Sequence, residues 1–372
     1  MEDLIFFSFC QLSLINIKIK GLNEYFKDYM DLENTSSIKG IFVWMIVFSH
    51  NRGYYPKNFK YFYFKILTCT GQKMVSLFLF YSGFGIIELI KKKGLLYVKS
   101  LPKKATILFI KYQLILLIFL INNIILGIKM NIKIYLLSII FIKNLGNSNW
   151  FAFTIIHLYY YSFLSFIIIK NKSYIFISLI IMSIICYFHI FITYNYIYPK
   201  GLNTIDNILT FLIGMFYSLL KNNIDTFVMK NDILYFENVS LFLFIIYYFS
   251  RNKNHLLFRS LTNSFFSLIF VIISMKIRFN NEFLKLLNTH SYSIYLLQRI
   301  IMIIVYKRQL FKKNECIRFP FIFSCTLLIS ILFDRYTGFV NIIFNKNICK
   351  HKKNNLLLSK KNDILKEVKI IN

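Results

Sequence analysis

The sequence has 372 residues, of which 57% are hydrophobic and 19% aromatic, and its mean hydropathy is +0.55. These values exclude an ordinary soluble domain and indicate a membrane protein. The formal net charge of +29 does not predict a nucleic-acid partner, because the 45 Lys and Arg residues are spread through short loops between apolar stretches. The six cysteines have no CxxC spacing, so neither a disulfide framework nor a metal site is expected.

Apolar stretches long enough to cross a hydrocarbon core of about 30 Å recur along the chain, and strand-like alternation is absent. We predict an all-α fold, a polytopic membrane helix bundle with about ten transmembrane helices. The predicted spans lie near residues 38–55, 73–90, 105–127, 150–169, 174–194, 204–220, 235–250, 256–277, 290–306 and 318–344. The chain divides into an N-terminal segment (1–34), a membrane domain (35–344) and a basic cytoplasmic tail (345–372).

The loops indicate an orientation. Placing the N-terminus in the cytoplasm puts the larger share of Lys and Arg on the inner side, as the positive-inside rule requires. We therefore expect a multi-pass protein of the cell inner (plasma) membrane, with both termini cytoplasmic.

The first span, IKGIFVWMIVFSH, carries two ionisable residues that are eleven positions apart, Lys39 and His50. Eleven residues of α-helix rise about 16 Å and complete almost three turns, so both side chains are predicted on one face. An ionisable residue inside a membrane is costly unless it has a partner or lines a wet cavity. His50 either bonds to a neighbouring helix or belongs to a site, and the second interpretation requires other polar groups nearby.

Several polar groups in other spans could converge on His50. The second span, MVSLFLFYSGFGIIELIKKK, contains Ser82, Gly83 and Glu88. Its glycine could allow close helix packing or leave room for a substrate chain. Arg259 and Arg299 are further intramembrane charges, which either serve a site or pair with an acidic residue in another span.

A cluster of lysines follows the second span on the predicted cytoplasmic side, namely Lys91, Lys92, Lys93, Lys99, Lys103 and Lys104. One interpretation is a topology signal with attraction to anionic membrane lipids. The other is a binding surface for a phosphate-rich cytosolic ligand such as the nucleotide of coenzyme A.

Five stretches in this order resemble motifs of acyltransferase family 3, the integral-membrane acyltransferases of surface glycans. SSIKGIFVWMIVFSH is similar to the family's Lys/Arg-x10-His motif, with Lys39 and His50 at the matching positions. The others are LFLFYSGFGIIELIKKK, NWFAFTIIHLYYYSF with Trp150, NTIDNILTFLIGMFYSLLK and HSYSIYLLQ. The chain departs from the family at residues 99–104, where lysines replace Arg-x-x-Arg, and at Gln298, where a His is frequent.

The resemblance implies an O-acyltransferase that moves an acetyl or other short acyl group from cytosolic acyl-CoA to a sugar hydroxyl of a lipid-linked or exported bacterial glycan. His50 would act as the general base. Lys39 would steer or pair with phosphate, and Arg52 would favour a neutral imidazole. The remaining candidates for substrate or acyl-CoA binding are Ser82, Gly83, Lys91, Lys99, Lys103, Lys104, Trp150 and Arg299. Acetyl-CoA is a cosubstrate, and no bound cofactor or metal is expected.

Two other classes of membrane protein share these general features. A lipid-linked glycan flippase or polymerase is also multi-span and basic, but a polymerase is expected to have a larger outer loop than any here. A transporter would show internal repeats and broken helices, and no repeat is visible. Loss of acyl transfer on substitution of His50 by alanine would separate the acyltransferase from both alternatives.

Overall fold

The computed structural model describes residues 2–54, 71–129, 131–167, 175–193, 205–251, 255–311 and 317–338. These residues are mostly helical. The helices are α1 (Glu2–Ser13), α2 (Leu32–Arg52), α3 (Gly71–Lys93), α4 (Leu95–Val98), α5 (Leu101–Ile125), α6 (Ile132–Ile139), α7 (Trp150–Ile167), α8 (Ile175–Ile192), α9 (Ile208–Val228), α10 (Asp232–Ser250), α11 (Leu256–Lys276), α12 (Glu282–Thr289), α13 (Ser291–Lys307) and α14 (Ile317–Gly338). Two short strands, β1 (Lys18–Ile19) and β2 (Ile277–Arg278), pair antiparallel.

Each of the ten predicted spans overlaps one of these helices. In the part of the chain that is described, seven helices are long and apolar enough to cross a membrane: α3, α4 with α5, α7, α8, α10, α11 and α14. The three that fall short, α2, α9 and α13, carry more polar residues, or in α13 only 17 residues. The prediction of an all-α membrane helix bundle is confirmed. The predicted basic tail lies outside the described residues.

The centre of the bundle is a close contact between α3 and α9. A Cβ atom on Gly83 would lie 2.1 Å from the Phe211 carbonyl oxygen, and one on Gly214 would lie 2.1 Å from the Phe80 carbonyl oxygen. Small residues are what allow two membrane helices to bring their backbones this close. The two glycines therefore fix the position of α3, which also packs on α2 and α11.

Polar side chains cap the N-termini of several helices at one end of the bundle. This end, where α2 begins, is called the Asp31 face. Asp31, Asn231 and Asn281 are N-caps whose side chains accept hydrogen bonds from backbone N–H groups of α2, α10 and α12. Such caps satisfy donors that the first turn of a helix leaves unpaired. The opposite end, where α2 finishes, is called the Arg52 face.

The N-terminal segment belongs to the bundle. In α1, the ring of Phe6 lies 5.6 Å from the Trp44 ring, and Trp44 Nε1 donates to Ser13 Oγ at 3.0 Å. At the Asp31 face, Tyr29 donates a hydrogen bond to Asp225 at 2.6 Å, and Arg278 pairs with Asp28 at 2.5 Å. These contacts hold residues before the first predicted span against α2, α9 and the α11–β2 connection.

Candidate active site

Two cavities lie one after the other along α2. The larger, the His50 cavity, has a volume of about 530 Å³ and lies toward the Arg52 face. Its wall is rich in amide, hydroxyl and cationic side chains, among them Ser49, His50, Gln72, Asn147, Asn263 and Arg299. The smaller, the Lys39 cavity, has a volume of about 220 Å³ and lies toward the Asp31 face. Its wall is mainly apolar and aromatic, with Lys39, Ser82 and Gln298 as polar members.

The cavities share a wall near the middle of the bundle. Val75 lines both, and Gln298 lines the Lys39 cavity while the next residue, Arg299, lines the His50 cavity. In the same way, Trp150 lines the His50 cavity and the next residue, Phe151, lines the Lys39 cavity. The cavities are thus separated by little more than one layer of side chains.

One side of α2 faces both cavities, as the eleven-residue spacing predicts. Lys39, Val43 and Ile46 line the Lys39 cavity, and His50 follows four residues later in the wall of the other. Steps of three and four residues keep side chains on one helix face. The axial separation of Lys39 and His50 is about 16 Å, so the two act in different cavities.

His50 is held at the shared wall. The Gln298 side chain is close enough to hydrogen-bond to the imidazole, and the Arg299 guanidinium is close enough to act on it electrostatically. His50 Nδ1 and Gln298 Oε1 are nevertheless buried without an aligned hydrogen-bond partner among the described residues. The ring centroid of Tyr295 lies 5.9 Å from that of the imidazole. A buried polar atom without a partner requires an explanation, and a bound ligand or water is one.

Aromatic rings from α7, α3 and α13 complete the wall. Phe151 lies 5.3 Å from Tyr295 and 6.4 Å from Phe78, measured between ring centroids. Trp150 packs edge-on against Tyr295 at 6.4 Å. The predicted site residue Trp150 therefore lines the His50 cavity, and its neighbour Phe151 lines the Lys39 cavity.

Two other intramembrane residues have different positions. Ser82 lines the Lys39 cavity, although its hydroxyl donates to the Phe78 carbonyl within α3 at 2.8 Å. Gly83 lines neither cavity, because the carbonyl of Phe211 fills the space where substrate could have lain. The structure therefore places Gly83 in the helix contact between α3 and α9.

Of the two intramembrane arginines named above, Arg259 forms an ion pair, whereas Arg299 has a side-chain nitrogen without a described partner. Arg259 forms a two-pronged pair with Asp206, with Nε–Oδ2 at 2.9 Å and Nη2–Oδ1 at 3.2 Å. Arg299 lines the same cavity, and its Nε has no hydrogen-bond partner among the described residues. Arg52 also lines this cavity, as predicted for a group close to His50.

The predicted phosphate-binding lysines lie at the Asp31 face and outside both cavities. Lys91 is engaged, since its Nζ donates to Glu88 at 2.8 Å and to the Ser218 carbonyl at 2.6 Å. Lys99 is exposed, and Lys103 and Lys104 lie in the first turn of α5. Lys104 precedes Leu108 of the Lys39 cavity by one helical turn, about 6 Å along the axis. Lys104 is thus the nearest of these lysines to a cavity along α5.

Sequence reasoning missed a group of asparagines in the loop before α7. Asn144, Asn147 and Asn149 all line the His50 cavity. The loop is shaped by the same side chains, since Asn147 Oδ1 accepts from the Leu145 N–H at 3.1 Å and Asn149 Nδ2 donates to the Lys143 carbonyl at 2.8 Å. The run NLGNSNW, polar within a hydrophobic chain, was the signal that could have identified them.

The arrangement brings a histidine, a cation and an amide-rich wall together where two cavities meet from opposite faces. A family model described as an acyltransferase domain matches residues 35–335, which include all the residues lining the two cavities. The chain belongs to this acyltransferase family. No curated protein and no solved structure matches it.

As a membrane O-acyltransferase, the protein differs from the flippase, polymerase and transporter alternatives, which the family assignment disfavours. No group of three or more His, Cys, Asp or Glu side chains that could hold a metal ion occurs within the described ranges.

Proposed function

We propose that this acyltransferase moves an acetyl or other short acyl group from acyl-CoA to a sugar hydroxyl of a lipid-linked or exported bacterial glycan. The observation that carries the proposal is the position of His50 at a wall that separates two cavities facing opposite ends of the bundle. Such a layout suits a reaction whose two substrates come from opposite sides of a membrane.

The orientation is part of the proposal. In the predicted orientation α2 begins on the cytoplasmic side, so the Asp31 face is the cytoplasmic face, and the Lys39 cavity receives the donor from that side. The mainly apolar Lys39 cavity suits the pantetheine arm, while Lys39 and the lysines at 99–104 attract the phosphates as point charges. The His50 cavity, with its amides and hydroxyls, receives the sugar from the outer side.

The reaction requires a base, because a sugar hydroxyl is a weak nucleophile at neutral pH. A neutral His50 imidazole takes the hydroxyl proton while the oxygen attacks the thioester carbonyl carbon. The carbon–sulfur bond then breaks, and the proton on His50 passes to the sulfur, which gives the ester and free coenzyme A. Gln298 lies beside the imidazole, close enough to hydrogen-bond to it during the reaction. No other group is needed to balance the protons.

The test is the ester content of the surface glycan. We expect mass spectrometry to find acyl mass on glycan from cells with the wild type, and none from cells without the gene or with His50→Ala. His157→Ala is the matched control, because His157 also lies in a spanning helix but lines neither cavity and bonds within its own helix to Phe153. Membrane levels of the variants are compared by immunoblot.

Two results would count against the proposal. Glycan without acyl mass in wild-type cells would remove its basis, and glycan chain length would then be measured for the polymerase alternative. Equal acylation by His50→Ala and wild type would leave the family assignment intact and refute His50 as the base.

A further inference from the structure

Four cationic side chains line the described wall of the His50 cavity. Arg52, Lys73, Arg259 and Arg299 line it, and the described residues of its wall include neither Asp nor Glu. Asp206 compensates Arg259 from behind the wall, with a carboxylate whose side chain is 1% exposed. Arg299 forms no ion pair with a described Asp or Glu, so its guanidinium charge is presented to a molecule inside the cavity.

The unpartnered atoms of this cavity are mostly hydrogen-bond donors. Arg299 Nε and Asn147 Nδ2 are buried and have no hydrogen-bond partner among the described residues. The orientation of the Asn147 side chain is fixed by a hydrogen bond within its loop. Its Oδ1 accepts the Leu145 N–H at 3.1 Å, so the atom left for a ligand is the amide nitrogen.

Donors and positive charge together select one ligand chemistry. A neutral hydroxyl both donates and accepts, whereas a carboxylate or phosphate only accepts and carries the charge that a guanidinium attracts. Unpaired buried donors also penalise a ligand that cannot accept from them. Arg299 and Asn147, which both line the cavity, are thus complementary in charge and hydrogen bonding to an anionic group of the ligand. This group would lie beside the hydroxyl that reacts at His50.

We propose that the acceptor of this acyltransferase is an anionic glycan, bound through a carboxylate or phosphate group to Arg299 and Asn147. This inference rests on the proposed function, because only that function makes the glycan an acyl acceptor. Binding of the anion can nevertheless be measured without any acyl transfer. A sugar carboxylate and a phosphate diester or monoester share the chemistry, and the experiment separates them.

Trp150 provides the binding signal, because it lines the His50 cavity and the sequence has only 2 tryptophans. The other, Trp44, is buried against α1 and is replaced by phenylalanine. Purified full-length Trp44→Phe protein is titrated with a glucuronate-containing disaccharide, its carboxyl-reduced neutral counterpart, glycerol phosphate, and adenosine 3′,5′-bisphosphate as a probe for the coenzyme A nucleotide.

We expect the glucuronate or the glycerol phosphate to change Trp150 fluorescence at a concentration at least about tenfold below that of the neutral disaccharide. Arg299→Gln abolishes this preference. Arg308→Gln is the matched control, since it removes the same charge from the end of the same helix at an exposed position that lines neither cavity, and it retains the preference. The arm that binds more tightly identifies the carboxylate or the phosphate as the source.

Equal binding of the anionic and neutral disaccharides would overturn the inference. So would tighter binding of the adenosine bisphosphate than of both other anions, because the cavity would then belong to the donor. Failure of the proposed function is separate: anion binding at Arg299 without acyl transfer refutes the reaction and leaves the site, whereas equal acylation of neutral and anionic acceptors refutes the inference and leaves the reaction.

Discussion

The contact between α3 and α9 predicts opposite effects for two alanine substitutions that are two residues apart. In Gly83→Ala the new methyl group would start 2.1 Å from the Phe211 carbonyl oxygen, so the helices must separate by about 1 Å. Overpacking of this kind costs about 1–3 kcal/mol, and the obstacle here is backbone that cannot rotate away. Gly85→Ala meets nothing within 4 Å and gains about 0.5–1 kcal/mol of helix propensity.

The difference between the two variants is therefore about 1.5–4 kcal/mol. Thermal unfolding of the detergent-solubilised proteins measures it, and we expect Gly83→Ala to unfold roughly 3–10 °C below Gly85→Ala. The same chemical change in the same helix makes each variant the control for the other. If both unfold together, the close backbone contact between α3 and α9 is refuted.

Two further predictions concern charges. Asp206→Asn removes the carboxylate from its buried pair with Arg259, so we expect it to lower the free energy of unfolding by about 3–5 kcal/mol. Glu24→Gln breaks an exposed pair with Lys20 and lowers it by less than about 1 kcal/mol. Thermal unfolding measures both, and equal effects would contradict the burial of the first pair. Lys104→Ala raises the KM for acyl-CoA about five- to tenfold and Lys91→Ala less than about twofold, because Glu88 neutralises the charge of Lys91 whereas Lys104 contacts the neutral Tyr97. The reverse order in steady-state kinetics would refute this difference between the two lysines.

The sequence predicted what helical periodicity and hydropathy determine. Lys39 and His50 share one side of α2 because eleven residues return to the same face. Arg299 was recognised as an intramembrane charge, and such residues face a cavity or a partner because lipid cannot solvate them. Both arguments need only the helix and the membrane, so they hold before any tertiary contact is known.

Contacts between distant parts of the chain were beyond prediction. The sequence left Gly83 open between packing and substrate contact, and the answer depends on Gly214, which is far away in the chain. Glu88 was one of the groups that could converge on His50, but it pairs with Lys91 of its own helix and accepts a hydrogen bond from Ser218 of α9. The asparagines before α7 were missed because a loop reaches a cavity through its tertiary fold and not through any periodicity.

The thin wall between the two cavities has an electrical consequence. Where water-accessible space enters from both faces, a membrane potential falls across the remaining barrier and not across the full hydrocarbon core of about 30 Å. An elementary charge that passes from one cavity to the other, through the wall at Val75 and Gln298, would cross most of that potential. The energy involved is about 2.3 kcal/mol per 100 mV. In the proposed reaction the proton of the hydroxyl ends on coenzyme A while the acyl group moves the other way. The hydroxyl and the ester have the same charge, and so do the thioester and the thiol, so no net charge crosses the wall. Voltage can then alter the speed of the proton step, but the equilibrium between thioester and ester is insensitive to it.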